Sequence, residues 1–199
     1  MRRFLIACLA LPMALLLAVG PVAADTTPGN GTFFGSFTTS CSTSGGRQVC
    51  TDTNVSVGPN EDGTTSSACL DIFTYSFSSN GRFTFISDQF GCADGAGLTV
   101  GSDLSVTLAP TDIFLATCKA HKRSCTGAAI VTVSASDSVV GDIATTVTRS
   151  TTKVGSCTFR TTVTETSAQM AGTLTIDSTT LNEDGFISIV DQTSTEHCK

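Results

Sequence analysis

Apolar and polar residues alternate along much of the chain with a period of two. Within residues 70–77, for example, Leu70 and Ile72 alternate with Asp71 and Phe73. No window of helical length carries an apolar stripe at every third and fourth position. A period of two is typical of strands that bury one face. The same alternation recurs in residues 83–87, 104–108, 130–133, 143–148, 157–164 and 172–176.

Turn-forming dipeptides separate these segments. Asn80-Gly81 stands between two aromatic-rich runs and predicts a two-residue hairpin, because Asn and Gly tolerate positive φ. Asp62-Gly63, Asp94-Gly95 and Asp184-Gly185 predict further reversals, and Pro110 is expected in a short turn. We therefore predict an all-β fold, a disulfide-linked antiparallel β-sandwich (or barrel) of about a dozen short strands.

The order of motifs predicts a diverged internal duplication. Residues 37–41 resemble residues 114–118, and each segment is followed by a second Cys-Thr pair. The later features keep the same order in both halves, although their spacing drifts and many matched residues are Ser, Thr or β-branched. We expect two repeat units, about residues 33–113 and 114–199, within one domain.

Residues 1–24 have the features of a secretory signal peptide. Arg2 and Arg3 precede an apolar stretch, and small residues lie before the expected cleavage at Asp25. We expect residues 25–199 to be a single secreted β domain, with no membrane insertion once the signal is removed. Loss of the two arginines makes the chain more acidic than its full-length charge of −6, which argues against nucleic acid as a partner.

The cysteines agree with export to an oxidising compartment. Cys8 leaves with the signal peptide, and the eight that remain are an even number, as four disulfides require. Zinc is a poor alternative, because there is no Cys-x-x-Cys motif and the chain has two histidines. Opposed positions of a hairpin lie within disulfide reach, which favours local pairing. The expected pairs are Cys41–Cys50, Cys69–Cys92, Cys118–Cys125 and Cys157–Cys198.

Catalytic and cofactor motifs are not recognisable in the sequence. A hydrolytic site would need His121, His197 or a carboxylate pair, and no spacing singles one out. The tetrapeptide Asn-Glu-Asp-Gly occurs at residues 60–63 and 182–185, where oxygen ligands for calcium are conceivable. The further ligands that calcium needs are missing nearby, so both copies are interpreted as polar turns. We predict no catalytic residue, no cofactor and no metal.

One loop stands out for its charge. The expected disulfide between Cys118 and Cys125 would close it into an exposed tip, and basic residues concentrated there would attract an acidic partner. A solvated hairpin tip is the plainer interpretation. The candidate binding residues are Lys119, His121, Lys122 and Arg123.

Three functions stay open. We expect a secreted surface-recognition or adhesion-type binding module for an unknown extracellular or cell-envelope ligand, with an anionic polymer or a protein among the candidates. The first alternative is a secreted hydrolase with a carboxylate or Ser/His site, and the second is a protease inhibitor that presents residues 119–124. Flat faces with exposed loops would favour binding, whereas a concave pocket lined by two carboxylates would favour the hydrolase.

Overall fold

A computed structural model of the chain describes residues 31–60, 65–119 and 125–198. The described residues form ten strands and no helix, hence none that could cross a membrane. The predicted all-β class is confirmed. The strands are β1 (Gly31–Ser44), β2 (Arg47–Pro59), β3 (Ser66–Phe77), β4 (Phe83–Asp94), β5 (Leu98–Val100), β6 (Val106–Lys119), β7 (Thr126–Val139), β8 (Ala144–Val154), β9 (Cys157–Ile176) and β10 (Thr179–Cys198).

All ten strands belong to one antiparallel sheet. The strand order is β10-β1-β2-β3-β4-β6-β7-β9-β8, with β5 paired to β6. β10 also pairs with β9, so the path of pairings returns to the strand where it began. One edge of β9 pairs first with β8, along residues 157–167, and then with β7, along residues 170–176. The opposite edge of β9 pairs with β10 along its whole length.

The hydrophobic core lies against one face of this sheet. Alternate residues of most strands point into it, as Val55 and Val57 do from β2 and Ile113 and Leu115 do from β6, whereas β8 is exposed along its whole length. The opposite face is polar and rich in Ser and Thr, with scattered exposed rings such as Phe114. This arrangement follows from the period of two, which places successive side chains on opposite faces.

The strands are fewer and longer than the prediction of about a dozen short ones. Residues 157–164 and 172–176, which were expected to be separate strands, are parts of the 20-residue strand β9. The residues between them include Thr166 and Ser167, and β-branched Thr in particular favours extended backbone. Without Gly or Pro to form a turn, the chain continues as one strand.

The reversal predicted at Asp184-Gly185 is wrong, and so is the polar turn predicted for residues 182–185. Both segments lie inside β10, where Gly185 is paired with Met170 of β9 and Ser36 of β1. A Cβ atom on Gly185 would lie 2.7 Å from the carbonyl oxygen of Gly35. This glycine therefore allows two strands to approach closely instead of forming a turn. The first copy of the tetrapeptide lies mostly outside the described residues.

Of two other turn predictions, the one at Asn80-Gly81 holds in part and the one at Pro110 is wrong. Asn80-Gly81 does separate β3 from β4, but the connection spans residues 78–82, because the Ser78 and Arg82 backbones hydrogen-bond across it. Pro110 lies within β6, not in a turn. It occupies a register shift between Leu108 and Thr111, where a residue without an N–H group is tolerated.

Four disulfides join the same pairs of cysteines that the sequence analysis expected: Cys41–Cys50, Cys69–Cys92, Cys118–Cys125 and Cys157–Cys198. Three pairs link directly opposed residues of neighbouring antiparallel strands. Cys118–Cys125 joins β6 to the residue that precedes β7. The first closes the β1–β2 hairpin, whose turn uses Gly45 and Gly46 at φ of 58° and 75°. The four bonds are compatible with an oxidising extracellular environment.

Candidate functional site

The basic loop predicted from the sequence lies mostly outside the described residues. Of its four candidate residues, Lys119 is described, as the exposed last residue of β6. His121, Lys122 and Arg123 fall in the undescribed segment 120–124. The Cys118–Cys125 disulfide joins the two ends of this loop. The loop's binding role therefore stays a prediction.

A cluster of five aromatic rings covers the outer face of β3 and β4. Phe73, Tyr75 and Phe77 follow one another along β3, and Phe83 and Phe85 lie beside them on β4. Neighbouring ring centroids are 5.4–5.7 Å apart, and the ring planes are stacked, tilted or edge-on. Phe83 is half exposed, and the other four rings are partly buried. We call these five residues the aromatic face.

Strand periodicity and one register shift produce the aromatic face. Alternate residues of β3 point outwards, so Phe73, Tyr75 and Phe77 form a row. The β3–β4 register shifts after Thr74, and this shift sets Tyr75 opposite Phe85. A bulge of this kind changes which side chains meet across the two strands. The rings lie at the spacing at which aromatic pairs attract one another.

Three carboxylates border this face around Phe73. Asp52 of β2 and Asp88 of β4 lie directly opposite Phe73, and Asp71 lies two residues before it on β3. Asp52 Oδ1 accepts hydrogen bonds from Thr39 Oγ1 at 2.8 Å and, more weakly, from the Tyr75 hydroxyl at 3.4 Å. Carboxylates and rings therefore share one partly exposed surface, within which Asp71 Oδ1 and Asp88 Oδ1 are buried.

Asp71 and Asp88 lie within hydrogen-bonding reach of each other. The pKa of Asp71 is raised to about 6, mostly by burial, then by the hydrogen bond and negative charge of Asp88, with a smaller effect from Asp52. Burial and the Asp52 charge also raise the pKa of Tyr75, so its hydroxyl remains a hydrogen-bond donor at neutral pH. The patch can thus both donate and accept hydrogen bonds.

The aromatic residues are evident in the sequence, but the sequence analysis did not predict that they form the aromatic face. The alternation in residues 70–77 signals that Phe73 and Tyr75 share a face. Asp52 and Asp88 come from other strands, and their position beside Phe73 depends on the register of two strand pairs. The signal that could have found the site is an aromatic row on the polar side of a strand.

Two further groups of side chains have some features of a site. An open surface depression of about 380 Å³ includes Asp142, Glu165 and Ser188 in its lining, and the Ser188 hydroxyl donates to Glu165 at 2.8 Å. Glu196 lies beside Cys157 and Cys198, but these sulfurs are bonded to each other and cannot act as thiolate ligands. His197 is exposed next to that disulfide.

Comparisons with known proteins place no relative beside this chain: no protein-family model, no curated protein and no solved structure matches it.

Proposed function

We propose that this protein is a secreted surface-recognition module that binds a carbohydrate polymer across the aromatic face. The observation that carries the proposal is the set of five adjoining, partly exposed rings with three carboxylates beside them. A sugar ring has a face of C–H groups that packs on an aromatic ring, and its hydroxyls can donate to carboxylates. The aromatic face offers both kinds of contact.

The shape of the face favours an extended ligand. Residues 73–77 span roughly 13 Å of strand, and the rings of β4 double the width of the surface. The face is open, so it can contact a polymer along its length without enclosing it. The carboxylates beside the aromatic face would repel an anionic polymer. An anionic polymer therefore stays a proposed ligand of the basic loop at residues 119–124.

The binding test compares aromatic variants with a matched control. We expect the oxidised mature protein to co-sediment with at least one of the insoluble polysaccharides cellulose, chitin, xylan and β-glucan. Tyr75→Ala and Phe83→Ala should weaken that binding by about tenfold or more, because each removes a central ring of the patch. Phe114→Ala should leave it unchanged, since Phe114 is more exposed than either ring but lies outside the aromatic face. Equal weakening by all three variants, or no binding to any polymer, would contradict the proposal.

The hydrolase alternative has weaker support. Asp71 and Asp88 contact each other, whereas the two carboxyls of a typical glycosidase are at least about 5 Å apart to hold the substrate between them. The depression with Asp142 and Glu165 supplies two carboxylates, but it is open and does not exclude water. The inhibitor alternative rests on the loop at residues 119–124, and trypsin inhibition by the intact protein would test it.

We also infer that the sheet is a barrel, not a sandwich. Eight of the ten strands pair with at least two others, and the pairing of β10 with both β1 and β9 supports closure. A diverged duplication remains a proposal. The succession of hairpin disulfides in both halves supports it, but residues 83–86 begin β4 whereas residues 173–176 end β9, and the expected boundary at residues 113–114 falls inside β6.

A further inference from the structure

Two carboxylates meet in the interior of the sheet above a glycine. Asp137 of β7 and Glu183 of β10 are the two cross-strand neighbours of Gly172 on β9. A Cβ atom on Gly172 would lie 1.9 Å from Asp137 Oδ1, so the Asp137 side chain occupies the space that a larger residue would fill. The missing side chain allows Asp137 and Glu183 to reach each other across β9.

Both carboxylates are more than nine-tenths buried, and most of their oxygens lack a donor. Asp137 is 3% exposed and Glu183 is 6% exposed. The Ser36 hydroxyl donates to Glu183 Oε2, whereas Glu183 Oε1 and both Asp137 oxygens have no hydrogen-bond partner. The Thr173 amide lies near Asp137 and lowers its pKa in part, but without the geometry of a full hydrogen bond.

Burial makes two such charges costly unless something neutralises them. Burial raises the pKa of Asp137. The pKa of Glu183 is raised to about 8, mostly by burial; the Ser36 hydrogen bond lowers it in part, and the charge and hydrogen bond of Asp137 raise it by less. No Lys or Arg charge contributes to the Asp137 shift among the described residues. A shared proton would bond one oxygen of each carboxyl group and leave the other Asp137 oxygen unpaired.

We propose that Asp137, Glu183 and Ser36 form an internal binding site for a divalent cation of the calcium type. Carboxylate and hydroxyl oxygens are the donors that such hard cations prefer. One divalent ion would balance both charges and take all three unpaired carboxylate oxygens as ligands. Glu183 Oε2 and the Ser36 hydroxyl add two more donors, and water completes the coordination shell.

The strand pairing provides a route for the ion. The β1–β10 ladder ends at the pair Phe37–Asp184, immediately beside Glu183. Beyond this pair the two strands have no further paired residues. Thr38, the next residue of β1, is partly exposed, and we infer that an ion enters at this end of the ladder.

Thermal unfolding of the oxidised mature protein tests the site. After dialysis against EDTA, the melting temperature should rise by about 5–10 °C when Ca²⁺, Mg²⁺ or Mn²⁺ is added at roughly one hundred times its dissociation constant. Sodium chloride of equal ionic strength should have no such effect. A melting temperature that depends on pH but on none of the three cations would overturn the proposal in favour of a shared proton.

Two variants locate the effect. The double variant Asp137→Asn with Glu183→Gln keeps the side-chain shapes but removes both charges, and it should lose the response to cations. Asp191→Asn with Glu196→Gln, two exposed carboxylates of the same strand β10, should keep it. If the interior double variant does not fold, the metal content of the native protein tests the site instead. It is measured after gel filtration in micromolar calcium. About one ion per chain supports the site, and a substoichiometric amount overturns it.

Discussion

Glycine decides where polar side chains can meet inside this sheet. Gly172 leaves room for Asp137 and Glu183 to approach, and Gly185 lets β10 lie close to β1 beside Ser36. The sequence around Glu183 resembles a polar turn, because Asn, Asp and Gly are the usual turn residues. Only the pairing of β10 with β1 and β9 shows that Gly185 allows close strand packing and does not form a turn. Local composition therefore could not predict the buried carboxylates.

The buried carboxylates predict how stability changes with pH in the metal-free protein. The pKa of Glu183 rises from 4.5 unfolded to about 8 folded, where Asp137 and Ser36 face it. The folded state therefore holds a proton that the unfolded state releases above about pH 4.5. Stability should fall as pH rises from about 5 to 8, by on the order of a few kcal/mol.

Urea unfolding in EDTA across that pH range measures this fall. Glu183→Gln should flatten the profile and be more stable than the unmodified protein at pH 8, since it cannot ionise. Glu165→Gln, a change at an exposed carboxylate, should leave the profile as it was. A pH profile that is the same with and without Glu183 would show that this carboxyl does not titrate as described.

At the scale of elements, the disulfides follow the hairpins. Local pairing could be predicted because cysteines that are close in sequence lie opposite each other in antiparallel strands. The lengths of the strands could not be predicted, because runs of Ser and Thr are compatible with both strand and loop. The pairing of Tyr75 with Phe85 could not be predicted either, because it depends on a β-bulge for which the local sequence has no motif.

The four bonds should stabilise the fold unequally. They close separate segments, with sequence separations that range from 7 for Cys118–Cys125 to 41 for Cys157–Cys198. In the chain-entropy model, the shortest bond contributes about 2.4 kcal/mol and the longest about 4 kcal/mol. Replacing Cys157 and Cys198 by Ser should therefore cost more stability than replacing Cys118 and Cys125, as measured by denaturant unfolding. The reverse order would mean that native packing around the bonds outweighs loop length.

At the scale of the whole molecule, the return of β10 to β1 is the feature that sequence could least predict. The paired residues Gly31 and Val190 are nearly the whole described chain apart, and neither strand carries a motif that selects its partner. The all-β class follows from periodicity, but the number of sheets depends on such distant pairings. The binding surface depends instead on pairings of consecutive strands, since β2–β3 and β3–β4 place Asp52 and Asp88 on the two sides of Phe73.

Tyr75 offers the most direct test of that surface. The chain has one Tyr and no Trp, so its tyrosine fluorescence comes from the centre of the aromatic face. Titrating the mature protein with soluble oligosaccharides from the polymer it co-sediments with should change this emission along a saturable curve. The midpoint should match the dissociation constant from calorimetry. Calorimetric binding that leaves the Tyr75 emission unchanged would show that the ligand binds elsewhere and would contradict the account.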